Sequence, residues 1–185
     1  MTIVTPSRRR VRVRRAGLAL ALAYASAVIG PASAAPLPGG AGTLSESYQD
    51  WQVNCATKDS STHCTMVQMQ ADPKTRQRVL AMEIGRSSDG SFSAVLVLPF
   101  GLSLAAGVSL TIDDGETGNA LGFTTCLPAG CLVPFAIDDA RQTTLKAGTT
   151  LNVSAVASDS AQPVSFGISL SGFSSAFARL VALDQ

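Results

Sequence analysis

The dominant pattern along this chain is an alternation of apolar and polar positions with period two, as in a strand with one buried and one wet face. In residues 47–55, Trp51, Val53 and Cys55 fall on one side and Gln52 and Asn54 on the other. The alternation recurs in 107–113 through Val108, Leu110 and Ile112, and in 150–157 through Leu151, Val153 and Ala155. It is cleanest in 163–170, through Val164, Phe166, Ile168 and Leu170. Residues 79–84 and 94–98 are apolar nearly throughout, which predicts strands covered on both faces. Weaker patterns place further strands at 64–70, 119–126 and 131–137. Turn-forming residues separate these runs: Asp72-Pro73, Ser88-Asp89-Gly90, Asp113-Asp114-Gly115 and Pro128-Ala129-Gly130. Two short helices complete the reading. One spans 139–147, capped by Asp138 or Asp139 and ended by Gly148. The other spans 172–182, capped by Ser171, with Phe173, Phe177 and Leu180 on one stripe. Many short, regularly spaced strands predict a mainly β fold, an antiparallel β-sandwich or barrel-like domain with one or two short helices.

The first 34 residues stand outside that fold. Arg8, Arg9, Arg10, Arg12, Arg14 and Arg15 form a basic start, residues 16–29 an apolar core, and Pro31-Ala32-Ser33-Ala34 a small-x-small end. This is a secretory signal peptide cut between Ala34 and Ala35. Its apolar core of 14 residues falls short of the roughly 20 that a membrane span needs. The paired arginines invite a twin-arginine route, but neither pair has the usual following context, and the general secretory route is favoured. Residues 35–46 read as a flexible Pro/Gly-rich leader, with order beginning near Tyr48, and 47–185 as a single domain. Export places the mature protein beyond the inner membrane, in an oxidising compartment. No stable membrane insertion is expected after signal removal, because no later apolar run reaches the length of a span.

Removing the signal changes the charge. The chain holds 14 Lys and Arg against 13 Asp and Glu, but six of the arginines lie in the signal. The remainder carries 8 basic and 13 acidic residues, a balance of −5. An acidic domain lacks the basic footprint for nucleic acid and for an anionic membrane surface.

Four cysteines remain, Cys55, Cys64, Cys126 and Cys131. In an oxidising compartment they are read as disulfides. Three pairings exist in principle, and the two local ones are favoured because each joins strands flanking one turn. A zinc site would call for tighter spacing and more than the single histidine, His63. A redox dithiol would more often be C-x-x-C, which is absent. His63, beside Cys64 in a Ser/Thr-rich stretch, reads as an exposed polar residue. It is also the one imidazole available to a nucleophilic triad, and no G-x-S-x-G elbow accompanies it. The acidic cluster Asp113, Asp114 and Glu116 is the alternative chemistry, a carboxylate hydrolase, but Asp-Gly after an alternating strand reads first as a turn. Asp138-Asp139 is better explained as a helix cap than as a paired-carboxylate site. Trp51 reads as core. No catalytic constellation, metal site or cofactor site is expected, and the partner is an unidentified protein or envelope component.

Several segments, read in order, resemble the invasion-associated locus B family of exported bacterial proteins. They are residues 48–55 (Tyr-Gln-Asp-Trp-Gln-Val-Asn-Cys), 64–68, 98–102, 107–115, 126–131 (Cys-Leu-Pro-Ala-Gly-Cys), 162–165 and 169–173 (Ser-Leu-Ser-Gly-Phe). The resemblance implies a protein in the periplasm, or secreted at the cell surface, of a Gram-negative bacterium, with no established enzymatic activity or cofactor and associated in pathogens with entry into host cells. The family also occurs in free-living bacteria, so that role does not carry over automatically. What transfers by residue is the cysteine framework, Cys55, Cys64, Cys126 and Cys131.

Overall fold

Antiparallel pairings of strands that follow one another in the chain build most of the molecule. In a computed structural model, strands β1 (Thr43–Tyr48), β2 (Trp51–Lys58), β3 (Ser61–Ala71), β4 (Arg78–Arg86) and β5 (Phe92–Leu98) form a continuous meander. The chain then leaves for β6 (Ser109–Ile112). It returns with β7 (Thr125–Leu127) and β8 (Gly130–Ile137), which extend the first sheet beyond β5. Helix α1 (Asp139–Ala147) carries it to β9 (Thr150–Val156) and β10 (Pro163–Ser169), and α2 (Phe173–Leu183) closes the fold. The result is a mainly β architecture of two antiparallel sheets, one of seven strands in the order β1-β2-β3-β4-β5-β8-β7 and one of three in the order β10-β9-β6. The described residues are 37–183, apart from 60, 72–73 and 75–77. All lie in one of the chain's two units, Ser33–Gln185. The signal segment with its Ala34–Ala35 junction and the Asp72-Pro73 turn fall outside them.

One face of the central strands β2, β3, β5, β8 and β9 is buried, as the alternation requires, whereas β7 is exposed throughout. The core draws Trp51, Val53, Met66, Met82, Ile84, Leu96 and Val133 from the large sheet and Leu151, Val153 and Ile168 from the small one. Helix α2 lays its stripe of Phe173, Ala176, Phe177 and Leu180 into the same core. An aromatic chain follows: Trp51 meets Phe173 edge-on at 5.2 Å, Phe173 stacks on Phe177 at 5.8 Å, and Phe177 reaches Phe92 at 4.9 Å.

The differences from the sequence reading are local. The alternation in 47–55 is not one strand: it breaks at Gln49-Asp50, where Tyr48 pairs with Trp51 across a two-residue turn and Gln49 has a φ of 54°. Order starts earlier than Tyr48, because residues 43–48 pair in full register with β2, and Leu37 is buried in the core. Residues 119–126 form a strand only from Thr125, with a lone bridge between Leu121 and Val108 before it. Strands β4 and β5 are not covered on both faces, since Glu83 is exposed and Val95 and Val97 are half-buried. Ser171 does not cap α2; its hydroxyl donates to the Gln49 side chain instead.

That last contact belongs to a seam between the β1–β2 turn and residues 169–173. The carbonyl of Ser169 accepts the Trp51 indole N–H at 3.0 Å and the Gln68 amide at 2.7 Å. Gln70 donates to the Gly167 carbonyl at 2.7 Å, and the Ser169 hydroxyl donates to Asp50 at 2.6 Å. Gly172 has a φ of 86°, and a Cβ on it would stand 2.0 Å from the Tyr48 carbonyl oxygen. Only glycine satisfies both the conformation and the approach. Arg179 of α2 grips Glu46 of β1 with two hydrogen bonds of 2.7 and 2.9 Å, and the Tyr48 hydroxyl adds a third at 2.9 Å. The Arg179 contact, helped less by Tyr48, outweighs partial burial and holds the Glu46 carboxyl below the usual glutamate range.

Two expectations follow. Gly172→Ala should cost about 2–3 kcal/mol of folding stability, read from chemical denaturation, whereas alanine at the exposed and unstrained Gly122 should change little. Glu46 titrates lower in the folded chain than in the unfolded one. The stability it contributes is therefore present above about pH 4.5 and lost as the pH falls below it. The difference in stability between the parent and Glu46→Gln should shrink across that acid range, and a pH-independent difference would contradict the assignment.

Candidate functional site

A concavity of about 710 Å³ opens between α1 and the loop of residues 113–121 that follows β6. Its walls come from both sheets and the helix. Leu110, Ile112 and Leu121 supply a half-buried floor, with Phe135, Leu145 and Leu151 buried beneath. Asp113, Glu116, Asn119, Asp138 and Arg141 stand at the rim.

Each wall is held by local rules. The reversal at Asp113-Asp114-Gly115 is the turn the Asp-Gly pair predicts, closed by the Gly115 N–H to the Ile112 carbonyl at 2.9 Å. Asp113 takes a φ of 49°, which an aspartate tolerates better than most side chains. The loop then runs back along β6: Gly118 donates to the Leu110 carbonyl at 2.9 Å, and the Thr111 and Thr117 hydroxyls share a hydrogen bond of 2.9 Å. The opposite wall is α1, whose first turn is capped by Asp138 accepting from the Arg141 N–H at 2.7 Å. The helix ends at Gly148, as expected, but through extended backbone rather than a left-handed cap. Glycine is needed there because a Cβ would lie 2.4 Å from Ile112.

The acidic cluster separates by role. The Asp113 carboxylate accepts the backbone N–H of Thr149 through both oxygens, at 3.0 and 3.1 Å, and that of Thr150 at 2.8 Å. It bolts the loop to the start of β9. Asp138 is committed to its helix. Glu116 faces the cleft and Asp114 does not line it. Arg141 donates to the Ala136 carbonyl and lies 5.4 Å from the centre of the Phe135 ring. The described residues hold no cluster of three or more His, Cys, Asp or Glu side chains able to bind a metal ion.

The cysteines form two disulfides, Cys55–Cys64 and Cys126–Cys131. Each joins directly opposed residues of a hairpin, with Cα atoms 4.1 and 3.9 Å apart. Cys55, Cys64 and Cys131 are buried, while Cys126 lies exposed on the edge strand β7. His63 is exposed within β3, opposite Ala56, rather than in a loop. Trp51 is buried and serves the seam.

Sequence reading found the acids of the loop and the cap but not that they face one another across a cleft. It missed Asn119, Arg141 and the apolar floor altogether. No spacing rule links residues 113–121 to α1, because the two meet only after β8 and β9 have been placed.

The segments around this cleft and the seam recur in other proteins. The sequence profile of the family described as Invasion associated locus B (IalB) protein matches residues 51–181. An invasion protein B homologue of Brucella abortus (strain 2308) is 47% identical over 172 residues, which cover 93% of this chain and 98% of that one. Invasion protein B of Bartonella bacilliformis is 33% identical over 155 residues, covering 83% of each chain. The crystal structure of invasion associated protein B from Bartonella henselae superposes with a TM-score of 0.70 at 32% identity, covering 76% of this chain and 96% of that one.

The bolt can be tested. Asp113→Asn keeps the side-chain shape and a residue suited to a positive φ, but removes the charge that strengthens the bonds to Thr149 and Thr150. It should lower stability by about 1–2 kcal/mol in denaturant titration and speed amide exchange at those two positions. A variant with parent-like exchange there would show that the bolt carries no stability.

Proposed function

This chain belongs to the invasion-associated locus B family, and from that premise we propose that it is an exported, non-catalytic binding protein of the cell envelope. The observation that carries the reading is the state of Asp113 and Asp138, two of the three carboxylates that line the cleft. Asp113 is occupied by two backbone N–H groups and Asp138 by a third. A carboxylate committed in this way is a structural anchor, poorly placed to trade protons with a substrate. What is left is a preformed concavity with an apolar floor and a few polar groups at its rim, the common build of a ligand site. The basic and apolar N-terminal segment supports export, and two cystine-bridged hairpins suit an oxidising compartment. The related proteins are named for invasion. A role in contact with host cells extends to this chain where its source is a pathogen.

Fractionation of the native organism should recover the protein outside the inner membrane with its N-terminus at Ala35. A photo-crosslinking residue in place of Thr117, at the cleft rim, should trap an envelope component in intact cells. The same residue in place of Asp159, remote from the cleft lining, should not. Retention in the cytoplasm, or identical adducts from both positions, would overturn the proposal.

A further inference from the structure

The chemistry of the cleft walls narrows what they can hold. We propose that the cleft takes a polypeptide segment that presents an apolar side chain to the floor and a lysine or arginine to the rim. This rests on reading the cleft as a binding site.

Charge decides the polarity of the ligand. Three carboxylates, Asp113, Glu116 and Asp138, line the opening against one guanidinium, Arg141. That cation already serves the Ala136 carbonyl and the Phe135 ring. The carboxylates retain capacity. An ionised carboxylate offers about four acceptor positions, and Asp138 uses Oδ1 for its cap, leaving Oδ2 open. Glu116 makes no hydrogen bond to any described residue. The first turn of α1 would by itself favour an anion, but Asp138 and Asp139 answer its partial positive charge. The net field at the mouth is therefore negative, and a cation is the complementary guest.

Shape decides the rest. Leu110, Ile112 and Leu121 form an apolar strip that is half-buried where the acids are exposed, so a hydrated ion alone would leave the floor uncovered. An alternating segment, with a side chain turned inward and its neighbours turned to the rim, meets both layers. The cleft is open to solvent, which lets a chain enter and leave it, and its volume lies in the range of ligand pockets. The walls are braced by Asp113, by the Thr111–Thr117 hydrogen bond and by Gly148 packed against Ile112, so little ordering is spent on binding.

The test titrates the disulfide-bonded protein with three capped hexapeptides, following backbone amide resonances and heat. One alternates lysine and leucine, one alternates glutamate and leucine, and one alternates lysine and serine. The lysine–leucine peptide should bind and shift resonances of residues 113–121 and α1. Each of the other two should bind at least about tenfold more weakly, and Glu116→Lys should weaken the first by a similar factor with unfolding unchanged. A glutamate–leucine peptide that binds equally well at the same residues would overturn the cationic ligand class while leaving the cleft a binding site. A lysine–serine peptide that binds equally well would overturn the role of the floor. Failure of all three to perturb the cleft would overturn the peptide proposal; the Thr117 cross-link independently reports whether the broader binding reading stands.

Discussion

The carbonyl oxygen of Ser169 is where the two sheets are joined. It accepts from Trp51 on β2 and from Gln68 on β3, while the neighbouring Gly167 carbonyl accepts from Gln70. No backbone ladder connects the small sheet to the large one among the described residues. Side chains do it instead, from the inner face of β3 to the outer carbonyls of β10. An edge strand offers unpaired carbonyls that must find donors when buried, and a buried glutamine amide must find acceptors. Each solves the other's problem: Gln68, the one buried polar side chain among the described residues, donates to Ser169 and accepts from Gln70. Removing the donors would leave both the oxygen and the sheet junction unsatisfied.

The cleft is downstream of that junction. Helix α1 and the loop after β6 hang from the small sheet, and α2 ties the arrangement back to β1 through Arg179 and Glu46. Lys146, on α1, lies 4.8 Å from the Phe177 ring, so the wall of the cleft and the aromatic core share a contact. The cleft's geometry thus depends on packing some distance from its mouth. It is a cavity made by the way the sheets meet rather than by any single motif.

Much of the strand content was legible because alternation with one wet face reports its own burial, and the paired cysteines marked two hairpins. Helix α1 was legible from Asp138 and Gly148. The break at Gln49-Asp50 was not, because the left-handed position falls on Gln49 rather than on a glycine or asparagine and the alternation runs on through Trp51. The first strand's start at Thr43 was hidden by glycines and prolines just ahead of it, whose composition resembles a linker. Among the segments that carried the family resemblance, Tyr48-Gln49-Asp50-Trp51 and Ser169-Leu170-Ser171-Gly172-Phe173 lie about 120 positions apart in the chain yet touch at the seam. Their meaning is joint: Gly172 is glycine because Tyr48 is close, and Asp50 is held because Ser169 is opposite. A reading of either segment alone yields only a turn and a helix start.

The disulfides carry a consequence for how the chain is made. Both bridges join cysteines that are consecutive in sequence, Cys55 with Cys64 and Cys126 with Cys131. A chain that emerges N-terminus first into an oxidant presents the first pair before the second exists to compete. Pairing each thiol with the next one to appear then yields the native connectivity directly. Such a protein needs something to remove electrons from its thiols but nothing to reshuffle them, and the order of its cysteines is itself the proofreading.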